Sequence, residues 1–238
     1  MLPVTTKSGT SVGSKVIGTP TLGLRGLRLW LTFNEGSGST AYDSSFYNNH
    51  GTIYGAIWTD GKYGKALYYD GVDDYTEVLW NNSIALVNNF TWAVWFKTED
   101  PSYNQFIMSF YGERFAIRIR NGVISIRDYL NNDNIYGQTK IQAGKWYFVA
   151  VTKSSTEGVK IYLNATLDGS CSSCTSNTEL VTGKSLWFGM DQWYYENGWD
   201  DWFIGIIDEP RIYARVLSDY EIQLLYYNRI GAVSSKTI

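Results

Sequence analysis

The sequence predicts an all-β protein: two antiparallel sheets packed face to face as a sandwich, with one short C-terminal helix. Three observations carry that expectation. Aromatic side chains make up 16% of the 238 residues and charged ones only 18%, a composition that suits broad, half-buried strands better than helices. Short apolar or alternating runs recur along the chain, separated by clusters of Gly, Asn, Asp and Ser. A clear helix signal occurs once, at Ser218–Tyr227, where Ser218 and Glu221 have the S-x-x-E spacing of a capping box. At this length a β sandwich forms as one unit and buries roughly three quarters of its unfolded surface without a staple.

The elements follow in order. Residues 1–24 are rich in Gly, Ser and Thr and hold two of the four prolines; they read as a polar arm, either held by a partner subunit or lying on its own domain. The domain proper spans 25–230, and 231–238 form a tail. Strands are expected at Leu27–Phe33, Thr52–Trp58, Ala66–Tyr69 and Tyr75–Leu79. From Phe90 to Lys97 a period of two puts Phe90, Trp92, Val94 and Phe96 on one face and Thr91, Ala93, Trp95 and Lys97 on the other. Asn121-Gly122, between two alternating runs, is a strong signal for a type I′ hairpin, because both residues must accept positive φ. A two-residue loop sets Arg120 opposite Val123, Arg118 opposite Ser125 and Ala116 opposite Arg127. Phe115, Ile117, Ile119, Ile124 and Ile126 then share the buried face, and Arg114, Arg118, Arg120 and Arg127 the other. Further strands are expected at Lys145–Lys153, Val159–Asn164, Ser185–Met190 and Phe203–Tyr213. Pro210 lacks a ladder donor, so the last of these is expected to end or reach a sheet edge there. No internal repeat or second domain is visible.

Composition also excludes classes of partner. The net charge is −3 and the isoelectric point near 5.2, so the chain lacks the basic footprint of nucleic-acid binding. No stretch approaches the ~18 apolar residues of a membrane span, so membrane insertion is not expected. Met1 opens onto Leu2-Pro3-Val4-Thr5-Thr6 with no signal-peptide pattern; the expectation is that a signal was removed or that the chain leaves its cell by another route. Cys171 and Cys174 sit in a polar loop, and with His50 the single histidine they cannot complete a zinc site. They read as a local disulfide, which implies an oxidising location, or as a reduced pair.

A family resemblance runs through the chain. Its marks are Trp30-x-x-Phe33-x-Glu35-Gly36-x-Gly38, Ala41-x-Asp43-Ser44-Ser45, Asn48–Gly51, Gly61-Lys62-x-Gly64-Lys65-Ala66-Leu67 and Asp70-Gly71-x-Asp73-Asp74-Tyr75. Thr91-Trp92-x-Val94-Trp95-Phe96, Val159-x-Ile161-Tyr162-Leu163-Asn164 and Ile207-Asp208-Glu209-Pro210-Arg211-Ile212-Tyr213-x-Arg215-x-Leu217-Ser218 complete the series. In this order they resemble the laminin-G-like, concanavalin A-like lectin/glucanase jelly-roll family over roughly residues 27–228. The resemblance implies a jelly roll, mostly non-catalytic, that binds glycans or proteins at surfaces, often with calcium. Two departures stand out: Ser44-Ser45-Phe46-Tyr47 replaces the family's usual Ser-Gly-x-Gly, and Ala165 follows Asn164 where glycine is common.

Three constellations are candidate sites. In the family's arrangement the first and last strands run side by side, which would let Asp43 and Asp208 join oxygens near Asn48 and His50 around calcium, a hard cation suited to an all-oxygen set; the plainer alternative is that Asp43 caps its own loop. The run MDQWYYENGWDDWF places Trp193, Tyr194, Tyr195, Trp199 and Trp202 among hydrogen-bonding side chains, the composition of a saccharide cleft or of a packed covering loop. Arg118, Arg120 and Arg127, with Arg114, offer guanidinium groups for sulfate or carboxylate, or simply a solvated sheet face. Catalysis has little support: there is no nucleophile motif, and in a regular strand Asp208 and Glu209 point to opposite faces. The expectation is a non-catalytic extracellular recognition or adhesion module, carbohydrate-binding and calcium-stabilised, at a cell or virion surface. The rival is a structural subunit of a virion, pilus or surface layer in which residues 1–24 join neighbouring copies.

Overall fold

Asn121 and Gly122 turn the chain at φ 53° and 73°, the left-handed pair a two-residue hairpin needs. The computed structural model, which describes residues 24–86, 88–111, 114–128, 133–178, 183–198 and 201–228, pairs Arg120 with Val123, Arg118 with Ser125 and Ala116 with Arg127, the register read from the sequence. In chain order the strands are β1 (Leu27–Trp30), β2 (Thr40–Ala41), β3 (Gly51–Tyr54), β4 (Ile57–Asp60), β5 (Lys65–Asp70), β6 (Tyr75–Val78), β7 (Phe90–Thr98) and β8 (Gln105–Phe110). They continue as β9 (Phe115–Arg120), β10 (Val123–Asp128), β11 (Asp133–Tyr136), β12 (Tyr147–Ser154), β13 (Gly158–Leu163), β14 (Thr166–Cys171), β15 (Leu186–Phe188) and β16 (Ile204–Tyr213). The helices are α1 (Gln192–Glu196) and α2 (Asp219–Tyr226).

Two antiparallel sheets result. One runs β14-β13-β12-β7-β16-β5-β4, with β1 paired to β16; the other runs β11-β10-β9-β8-β15-β6-β3-β2. Because side chains alternate along a strand, Phe90, Trp92, Val94 and Phe96 enter the core between the sheets, with Ile117, Ile119, Ile124 and Ile126 from the facing sheet. Ala93 and Trp95 leave β7 on the outer face, where Phe148, Tyr162, Leu217, Ile222 and Leu225 form a second apolar layer under α2. The helix begins as read: Ser218 accepts from the Glu221 amide, and Glu221 reaches back to the Ser218 amide. A third cluster, Trp187, Met190 and Trp202, lies on the outer face of the second sheet.

Several expectations are corrected. Thr52–Trp58 is two strands: Gly55 at φ 74° breaks it, and the chain passes from β3 in one sheet to β4 in the other. β16 does not end at Pro210. A register shift between Asp208 and Arg211 takes up the proline, whose carbonyl accepts from the Leu31 amide at 3.1 Å. Below the shift β16 pairs with β5, above it with β1. The cysteine segment is not wholly loop, since Cys171 ends β14, and its sulfur is bonded to Cys174, Cα–Cα 5.5 Å. A second helix, α1, interrupts the aromatic run. Of the arm, only Leu24 is among the described residues, packed against the outer apolar layer; the rest of 1–24 and the tail 231–238 lie outside them.

An ion pair penetrates the core. Lys153 sits in β12 between Phe90 and Val159, both of which face inward, so its side chain points between the sheets. There its Nζ donates to Asp128 Oδ2 at 2.6 Å and to the Cys174 carbonyl at 2.9 Å, with both charged side chains fully buried.

Candidate functional site

The opening loop is built around Asp43. Its Oδ1 accepts from the amides of Trp30 (2.9 Å) and Ser45 (2.8 Å), and its Oδ2 from the Ser45 hydroxyl (2.6 Å) and the Asn49 amide (2.9 Å). His50 turns Nδ1 back to accept from the Asp43 amide at 2.9 Å, and Asn48 takes a left-handed turn position at φ 54°. The expected metal set of Asp43, Asn48, His50 and Asp208 does not fit a cation. Four donors already occupy Asp43, and β1 separates it from Asp208: the Trp30 amide and carbonyl bond toward the loop, while the Leu31 amide bonds toward β16. The Asp43 oxygens turn into the opening loop, toward the Ser45 and Asn49 amides, and Asp208 turns toward the Tyr63 amide.

Asp208 instead faces outward under Tyr63, whose amide donates to it at 3.0 Å; burial pushes its carboxyl up to about 7. Glu209, at φ 55° in the register shift, lies on the same side and accepts from the Trp30 indole N–H at 2.7 Å and from Arg211. The two carboxylates therefore do not point to opposite faces, because the bulge resets the alternation. Both are buried, at 0% and 6% exposure, where no polysaccharide reaches them.

The aromatic segment folds back across the outer face of the second sheet. The Ser109 hydroxyl donates to the Met190 carbonyl (2.7 Å), the Phe106 amide to Asp201 (3.1 Å) and the Ile204 amide to the Gln105 side chain (3.1 Å). Trp202, 8% exposed, meets Tyr195 edge-on at 5.6 Å and Tyr75 at 6.4 Å. Tyr75 in turn stacks on Tyr54 with ring centroids 4.5 Å apart. Tyr54 and Tyr195 are exposed. Trp193 and Tyr194 lie in α1, but their side chains, like the whole of Trp199, are outside the described residues. The arginine face is corrected at its centre: Arg118 is 2% exposed, with its guanidinium 6.0 Å from the Phe106 ring, so it offers nothing to an incoming anion. Arg114, Arg120 and Arg127 are half-buried.

Beside Trp202 three chain turns meet in a cleft lined by Gly71, Asp100, Tyr103, Trp202 and Ile204. Tyr103 projects from the β7–β8 loop at 66% exposure. Asp100 accepts from the Ser102 amide at 2.8 Å, and the Ser102 hydroxyl first, then this amide, hold its carboxyl below the usual carboxylate range. At Gly71, φ is +80° and an added Cβ would lie 2.9 Å from Ile204 Cβ, so only glycine closes this corner. The same turn brings the carboxylate oxygens of Asp70, Asp73 and Asp74 within 4.8 Å of one another. Its shape comes from its own bonds: Asp74 accepts from the Asp70 amide and Asp70 from the Val72 amide. Burial, and then the charges of Asp70 and Asp73, raise the Asp74 carboxyl. Tyr103 and Asp100 were not among the sequence candidates; the available signal was an aromatic in the Pro-Ser-Tyr-Asn turn between two strands.

Two such sheets with their loops gathered over an aromatic face define a jelly-roll sandwich of the concanavalin A-like class. The family model described as the concanavalin A-like lectin/glucanases superfamily matches residues 70–223, and the chain belongs to that family. No curated protein sequence matches it. Among solved structures it is similar to domain 4 of AbnA, a GH43 extracellular arabinanase from Geobacillus stearothermophilus in complex with arabinotriose, at TM-score 0.66 and 21% identity over 84% of this chain and 98% of that one. It is also similar to the receptor binding domain of botulinum neurotoxin C/D mosaic serotype, at TM-score 0.66 and 20% identity over 87% of this chain and 52% of that one. The binding domain of botulinum neurotoxin DC in complex with SialylT matches at TM-score 0.66 and 18% identity, over 88% and 52%. The chain thus spans about half the length of the toxin domains. At these identities the likeness is one of fold. Among the described residues no helix is long and apolar enough to cross a membrane.

Proposed function

We propose that this domain is a non-catalytic carbohydrate-recognition module acting outside the cell, and that it holds its ligand in the cleft between Tyr103 and Trp202. The observation that carries this is the cleft itself: an exposed tyrosine and Trp202 flank an ionised aspartate at the loop end of the sandwich. Aromatic faces pack against sugar C–H groups while the carboxylate takes hydroxyl hydrogen bonds. The Tyr54–Tyr75 stack and Tyr195 extend the aromatic surface from the other side of Trp202. Support also comes from the arabinotriose and SialylT complexes of structurally similar domains. Calcium at Asp43 and Asp208 is not part of this proposal, since those residues do not converge. A glycan array probed with the full chain tests it. Binding to a defined set of oligosaccharides, weakened at least tenfold by Tyr103→Ala, is the expected result; a blank array, or binding untouched by that substitution, overturns it.

A further inference from the structure

The charges around the cleft select among saccharides, an inference that rests on the proposed site. Its described lining residues include one carboxylate, Asp100, and no lysine or arginine. The turn that supplies Gly71 carries Asp70, Asp73 and Asp74, two of them exposed. Asp100 accepts from the Ser102 amide on one wall, and on the other the carboxylates of Asp70 and Asp73 stand exposed within 4.8 Å of that of Asp74. On the neighbouring sheet face Arg118 is buried, and Lys140, beyond the Asp100 turn, gives its ammonium to the Asn121 carbonyl.

We propose that this cleft takes neutral oligosaccharides and rejects those bearing sialic acid, uronic acid or sulfate, with Asp70, Asp73 and Asp100 as the residues that set the preference. In a water-like medium one unit charge about 7 Å from another changes a binding constant roughly threefold, and more where protein excludes water. Three such carboxylates together give more than tenfold against an anionic ligand. At ~1 M salt, where the screening length falls to ~3 Å, the preference shrinks.

The test uses the full chain in EDTA-containing, low-salt buffer on an array of matched glycan pairs that differ only in a terminal sialic acid or sulfate. The comparison protein is the double variant Asp70→Asn/Asp73→Asn, which leaves Asp100 in place and keeps at position 70 the acceptor oxygen that the Val72 amide uses. The expected result is that the neutral member of each bound pair binds at least tenfold tighter. In the double variant that gap falls at least threefold while neutral binding is retained. Acidic members bound as tightly as neutral ones by the unaltered protein, or a gap unchanged in the double variant, overturns the charge selection alone. A blank array overturns the saccharide reading itself and the selection with it.

Discussion

Asp128→Ala strips the partner from a lysine that has nowhere else to go. Lys153 Nζ lies 2.6 Å from Asp128 Oδ2, both side chains are fully buried, and its remaining contact is a single carbonyl, that of Cys174 at 2.9 Å. Removing one member of such a pair leaves an unpaired charge in the core and costs about 3–5 kcal/mol. For a domain of this size each kcal/mol moves the thermal midpoint by about 2–4 °C, so a fall of about 10 °C is expected. Replacing both members, as Lys153→Met with Asp128→Leu, removes the charge along with its partner and is expected to be neutral or stabilising. Urea denaturation of the unaltered protein, the two single variants and the double variant closes the cycle. A loss below 1 kcal/mol in Asp128→Ala, or a double variant as unstable as the sum of the singles, would refute the buried pair.

Three other outcomes follow from local geometry. Asn164 and Ala165 form the two-residue turn between paired Leu163 and Thr166, at φ 50° and 63°. A left-handed alanine costs about 1 kcal/mol, so Ala165→Gly is expected to raise stability in urea by about 0.5 kcal/mol after the added chain entropy of glycine, and an equal or lower midpoint would contradict the assigned turn. Asp43→Ala, which removes the acceptor of four donors, is expected to cost about 3 kcal/mol, whereas excess EDTA leaves the calorimetric midpoint of the unaltered protein in place; a drop of several degrees on chelation would restore a cation to the loop. Asp208 has its folded-state carboxyl raised from 3.8 to about 7 by burial, so between pH 4 and 7 the folded state holds a proton that the unfolded state has released. Its stabilising contribution is full below pH 4 and is lost as pH rises through 7. Stability measured across that window should fall less steeply in Asp208→Asn, and identical slopes would remove Asp208 as the cause.

Much of the fold was legible because it is written in local chemistry. Asn121-Gly122 dictates its turn and hence the whole register of β9 on β10, and the alternation from Phe90 to Lys97 sorts β7 between the inner core and the layer under α2. Ser218 and Glu221 mark the start of α2. What failed depended on pairing between distant segments. Pro210 looks like a terminator in isolation, and only the bulge, with Glu209 in a left-handed position, lets β16 run through it. That same bulge brings Asp208 and Glu209 to one side, against simple alternation. Asp43 looked like a ligand because a carboxylate in a polar loop serves a cation and an amide cap equally well; the direction of the Trp30, Ser45 and Asn49 amides decides between them. At the candidate site, Trp202 and Tyr195 were visible in an aromatic run, but Tyr103 and Gly71 join them from loops ~100 residues or more upstream of Trp202, and no local pattern announces such a meeting.

The position of the ligand is the claim on which the rest depends. A crystal structure of this chain soaked with the tightest neutral oligosaccharide from the array tests it most directly. The account predicts sugar density against the Tyr103 ring and Trp202, with a hydroxyl in hydrogen-bond range of Asp100. Sugar density elsewhere, for example in the groove formed by Tyr136, Leu167 and Asp168, with the Tyr103 cleft left open, would contradict it.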